Sequence, residues 1–161
     1  MQLNPQLAKH LREIHFGGNW SASNLKDTLS DISLNEALTK IGNLNSIAAL
    51  TFHMNYYVAA ILKVFEGGPL DAKDKYSFDL PPLRTNEEWE EMLNKSWRDA
   101  ETLAILIEKM PEEKNIETFV DEKYGNYLRN IIGVIEHLHY HLGQVVFLKK
   151  LLRETPDLNK L

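Results

Sequence analysis

The chain of 161 residues contains no cysteine. That excludes disulfides, thiolate metal sites and cysteine nucleophiles together, and it suits a reducing cytoplasm. An excess of positive charge is also missing: 18 Lys and Arg stand against 23 Asp and Glu, a formal net charge of −5. Apart from Lys149 and Lys150 no basic cluster occurs, so there is no stripe of the kind that nucleic-acid binders present. An uninterrupted hydrophobic run is lacking too. The longest apolar stretch, Ile47 to Phe65, is broken by His53, Asn55 and Lys63, groups that a bilayer span tolerates badly. The first residues, MQLNPQLAKHLREIHFGG, hold no apolar core or small-residue cleavage site of a secretory signal. Repeats, low-complexity tracts and alternating strand patterns longer than ETFV are absent as well. The expectation is one soluble cytoplasmic domain, 1–161, that acts on a small molecule and binds neither nucleic acid nor membrane.

What is present is helical periodicity. Asn4 before Pro5 reads as a cap and first turn, and Leu7, Leu11 and Ile14 recur at helical spacing until Gly17-Gly18. Short helices are expected from about Ser23 to Leu29 and within SLNEALTKIG, where Ser33 and Glu36 have capping-box spacing. A second long helix is expected from about Leu44 to Glu66, stopping at Gly67-Gly68-Pro69. Residues 69–84, PLDAKDKYSFDLPPLR, carry three prolines and no helical period, too long a link for a tight antiparallel turn. Thr85 and Glu88 form another capping box and open a third helix that ends before Pro111. Its residues Trp89, Met92, Leu93, Trp97, Ala100, Leu103, Ala104 and Ile107 share one face. The fourth helix is expected from about Asn126 to Arg153, apolar around most of its circumference. Four long helices with one long crossover between the second and third predict an all-α four-helix bundle.

Three of the six histidines fall within IEHLHYHLGQ, residues 135–144. At about 100° per residue, His137 and His141 lie roughly 40° apart on one helical face, where i,i+4 side chains are neighbours. Two such imidazoles can converge on one ion. His139 points roughly 160° away and reads as a packing or interface residue. A histidine pair is weak by itself and needs a third donor. His53 supplies it, being near the middle of the second helix as His137 and His141 are near the middle of the fourth. Ala49 and Ala60 on its own face leave room for a cavity. Three neutral imidazoles without a carboxylate describe an open site that zinc, nickel, iron or copper would accept, and ligand type does not choose among them; zinc or nickel is the first expectation and iron the next. Asn130, Gln144 and Tyr57 project from nearly the same faces, to orient ligands or to contact substrate. Packed core histidines without metal are the plain alternative.

Two other motifs fail. Glu136-x-x-His139 matches one element of a carboxylate-bridged di-iron bundle, but no second ExxH occurs. The residue after His137 is Leu138, so the zinc-protease HExxH is absent. His10 and His15 read as surface or helix-end residues.

A histidine in the second helix, a long interval, and HLHYHLGQ on the last helix together resemble the DinB-like superfamily. Its late HxxxHxGQ motif matches His137, His141, Gly143 and Gln144, with His53 at the place of the first ligand; GGNW at 17–20 looks like a feature of one branch. The resemblance covers nearly the whole chain. It implies an up-down-down-up bundle, often dimeric, holding a divalent metal through His53, His137 and His141. It also implies kinship with thiol S-transferases and a thiol-dependent isomerase. On that reading a small thiol cosubstrate attacks an electrophile, or a metal-bound water hydrolyses it. Tyr57 or Gln144 is expected to steady the electrophile and Trp20 to stand at the pocket mouth. The rival expectation is a non-catalytic dimeric stress-response or binding module with a structural or vestigial ion. The dimer would use Tyr140, Phe147 and Leu151, outside the metal-facing stripe.

Overall fold

The computed structural model describes residues 2–154. Among them it is all-helical, with α1 (Leu3–Phe16), α2 (Leu25–Leu29), α3 (Leu34–Leu38), α4 (Ile47–Phe65), α5 (Asn86–Lys109) and α6 (Tyr127–Glu154). Three short 3-10 turns lie in the links after α4 and α5. The ETFV stretch makes only an isolated antiparallel bridge, Thr118 with Asn126.

Local chemistry explains most boundaries. Ser46 caps α4 by accepting the Ala49 N–H, so that helix begins two to three residues later than periodicity alone implies. Ser33 with Glu36 and Thr85 with Glu88 form the expected capping boxes. Beyond α4 the chain reverses at Gly67, whose φ is +87°. The next residue must also be small, because a Cβ on Gly68 would meet Lys63 Cγ at 2.8 Å and its carbonyl oxygen at 3.0 Å.

Asn4 is a correction. The cap position is Gln2, and Asn4 lies inside the first turn, buried to 1% exposure. Its side chain donates to the Met110 carbonyl at 2.6 Å and accepts from Asn115 Nδ2 at 2.6 Å, while its backbone N–H donates to Glu112 at 3.1 Å. Buried polar groups left without partners are costly, so this knot fastens the start of α1 to the end of α5. Asn4→Ala is expected to lower the unfolding free energy by about 1–3 kcal/mol, read from urea denaturation. An unchanged midpoint would show that water replaces the lost bonds.

The four long helices pack in a closed set, α1 and α4 each against both α5 and α6. Arg12 on α1 holds Glu101 and Glu108 of α5 at 3.0 Å each. At one end Phe65 of α4 packs edge-on against Tyr127 of α6. At the other, Trp89 of α5 donates to the Ile32 carbonyl, and Lys149 and Arg153 of α6 hold Asp31 in the α2–α3 link. The shared core includes Leu11, Ile14, Met54, Val58, Leu103, Ile107, Ile131 and Leu138, all essentially inaccessible. α4 and α6 are long and apolar enough to match a bilayer by composition, but half of the α4 span is buried within the protein.

His15 is a helix-end residue, as expected, but not a surface one. It sits near the end of α1 but is 2% exposed, its Nδ1 2.8 Å from the Leu11 carbonyl and its ring edge-on to Trp97. Burial drives its pKa down to about 4. His10 is exposed, as expected.

Candidate metal centre

α4 and α6 bring His53, His137 and His141 together. One ring nitrogen from each lies within 4.8 Å of the others, and His53 Nε2 stands 2.9 Å from His137 Nε2. Three nitrogens about 2.1 Å from one tetrahedral ion would be roughly 3.4 Å apart, so the cluster is close enough to hold a metal ion with small adjustments. His53 and His141 are buried at 7% and 8% exposure.

The outward nitrogens decide which lone pairs face inward. His53 Nδ1 is 3.3 Å from the Ser77 carbonyl, an acceptor only, so this nitrogen carries the proton and Nε2 is left as a bare donor. His141 Nδ1 is 2.6 Å from Gln144 Oε1, which frees its Nε2 in the same way. Such outer hydrogen bonds are what fix metal-ligating imidazoles. His137 differs: its Nδ1 is buried without a partner. Burial pulls all three pKa values below the ordinary histidine value, with mutual repulsion adding to it at His53 and His137. His137 falls furthest, to about 4. At neutral pH the cluster is therefore three neutral imidazoles, the form in which histidine ligates.

Gln144 thus acts through His141. Gln144→Ala is expected to weaken zinc binding roughly 10- to 100-fold, with Gln144→Glu largely restoring it, measured by competition with a chromophoric chelator. Equal affinities in all three proteins would remove Gln144 from the site.

Tyr57 packs edge-on against His53 and His137, at 5.2 and 4.9 Å between ring centroids. Its hydroxyl donates to Asp74 at 3.0 Å. Asn130 lines the same cleft as His137 and Tyr57, but its amide nitrogen is spent on the carbonyls of Tyr124 and Asn126. Trp20 is not brought here: it is fully exposed and lines neither the cleft at His137 nor that at Gln144. His139 stays off the cluster, its Nδ1 turned back toward the Ile135 carbonyl. Ala60 does border a cavity, of about 720 Å³, but that space lies between α4, the crossover and α5 and contains none of the histidines.

The crossover supplies what periodicity missed. Residues 71–78 are strapped along α4: Lys63 pairs with Asp71, the Tyr56 hydroxyl with the Lys73 backbone, and Tyr57 with Asp74. This strap delivers the Ser77 carbonyl to His53 and stacks Phe78 flat on the same ring, 3.8 Å between centroids and 10° between planes. The available signal was Tyr76 and Phe78 in a segment without helical period, where aromatic rings need a surface to cover.

The chain matches no protein-family model, curated protein or solved structure with which it was compared.

Proposed function

We propose that His53, His137 and His141 hold a divalent cation, zinc or nickel first and iron next, at the centre of an enzyme that transfers a small thiol to an electrophile. Hydrolysis by water at the same centre is the nearest variant. The observation that carries this reading is the convergence of three neutral imidazoles from two helices, two of them held with Nε2 facing inward by Ser77 and Gln144. A cation there would lower the pKa of a thiol or water and so supply the anion near neutral pH. Since the chain has no cysteine, the thiol must come from a cosubstrate.

The protein's own groups do the rest. Phe78 and Tyr57 wall the cluster with aromatic surface and limit the approach of bulk water. His137 lines the cleft from which a reactant would arrive. The likeness of HLHYHLGQ to the DinB-like motif supports the reading. So do the contacts between the helix ends: α1 begins where α5 ends, and α4 ends where α6 begins, as an up-down-down-up bundle would require. A homodimer belongs to the same proposal, since Tyr140 and Phe147 leave apolar surface exposed along α6. A cytoplasmic location belongs to it as well.

A structural ion in a non-catalytic module is the second reading. It is favoured by the engagement of the Tyr57 hydroxyl with Asp74 and of Gln144 with His141, which leaves neither candidate free to move a proton. The test is elemental analysis of protein purified without a histidine tag, followed by a screen of small thiols against model electrophiles. About one ion per chain with thiol-dependent turnover supports the enzyme. An ion whose removal melts the fold, without turnover, supports the module. Absence of metal after loading ends both.

A further inference from the structure

The cleft beside His137 carries a charge pattern that the metal site does not require. It has a volume of about 410 Å³ and is lined by Tyr57, Lys123, Tyr124, Arg129, Asn130 and His137 among others, within the size range of small-molecule sites. His137 is the one member of the histidine cluster on its wall.

Two cations stand at this cleft without a hydrogen-bonded carboxylate among the described residues. The nearest to Arg129 is Glu136, at 3.9 Å, and the nearest to Lys123 is Asp121, at 3.6 Å. By contrast Arg12, Arg98 and Arg153 close on their carboxylates at 3.0, 2.6 and 2.7 Å. Glu136 and Asp121 stand beside these cations without taking their hydrogen bonds, so both side chains keep donors available at the opening onto one candidate ligand.

A glycine seats one of them. Gly133 lies in the interior of α6, one turn before His137, where glycine weakens a helix. A Cβ at that position would stand 2.9 Å from Arg129 Nη1, so the guanidinium occupies the space that a side chain would fill. The helix terminus itself offers little, because Asn126 Oδ1 already takes the Arg129 backbone N–H at 2.8 Å. The charge comes from the side chains, a planar fork and a point charge, the pairing that suits a single carboxylate.

We propose that this cleft is a carboxylate-binding subsite, in which Arg129, seated over Gly133, and Lys123 hold an acidic small molecule against the His137 side of the histidine cluster. Its place in a reaction rests on the metal reading above, but its binding of anions does not. The substrate class is then a small organic acid, or a thiol bearing a carboxylate.

The probe is succinate, compared with succinamide and with inorganic phosphate, titrated into the full chain with and without added zinc and followed by amide chemical shifts. Saturable shifts confined to residues around 123–137 are expected with succinate and not with succinamide. Arg129→Gln should weaken succinate binding about tenfold and Lys123→Gln about threefold, with zinc content unchanged in both. Gly133→Ala should weaken it about threefold while the melting temperature holds or rises, since alanine favours the helix. Equal binding of succinamide, tighter binding of phosphate, or unchanged affinity in Arg129→Gln would overturn the subsite. Succinate bound at the cleft of a protein that takes no zinc would sink the metal reading and leave this one standing. Zinc bound without any succinate response would do the reverse.

Discussion

His53→Ala is expected to lose zinc more than about 100-fold, since loss of a ligand should exceed the 10- to 100-fold cost of losing an outer partner. The imidazole at 53 is the sole member of the cluster on α4, and its Nδ1 is already committed to the Ser77 carbonyl. Without it, His137 and His141 remain as an i,i+4 pair on one helix, which gives two donors where an open zinc site uses three. The measurement is zinc affinity by chelator competition, with the helical circular dichroism signal as a check on folding. His139→Ala serves as the control on the same helix as the pair, because His139 faces elsewhere. Equal zinc affinity in wild type and His53→Ala would mean that the three rings are a packed core cluster.

Acid should destabilise the protein through His15. Its folded pKa, about 4, lies below the ordinary histidine value of 6.5 because the ring is fully buried. The unfolded chain therefore takes up a proton at a pH where the folded one does not. Stability from this group is complete above about pH 6.5 and is lost as pH falls toward 4, a total of about 3 kcal/mol. The metal-free histidine cluster shifts in the same direction, so the His15 share needs a reference. His15→Gln removes the titration while keeping a donor for the Leu11 carbonyl. Urea unfolding at pH 7 and pH 4.5 should show wild type losing about 2–3 kcal/mol more than this variant. Parallel losses in the two proteins would place the acid sensitivity elsewhere.

The separation between what could be read in advance and what could not follows the kind of interaction involved. Helix spans, the two capping boxes and the meeting of position 53 with 137 and 141 depend on period and spacing, and both are local properties of a chain. The cap role of Asn4 gives way to a buried one, and His15 is buried at its helix end, because burial there depends on what packs against it. The Met110 carbonyl that meets Asn4 is 106 positions away in sequence, and the Trp97 that meets His15 is 82 away. Trp20 follows a glycine pair whose turn has no period to extrapolate, so its direction was open until the backbone was known. Ser77 and Phe78 belong to a stretch without register, and nothing in its composition says which helix it will lie along.

The cluster draws on both halves of the molecule, from position 53, through the carbonyl at 77, to position 141 in the middle of α6. During synthesis the first of these rings leaves the ribosome long before its partners exist. The pocket comes into being only after the last helix has been released and has docked. Neither half of the chain can contain it alone, so a truncated or stalled product would be chemically silent at this centre, however well its earlier helices had formed.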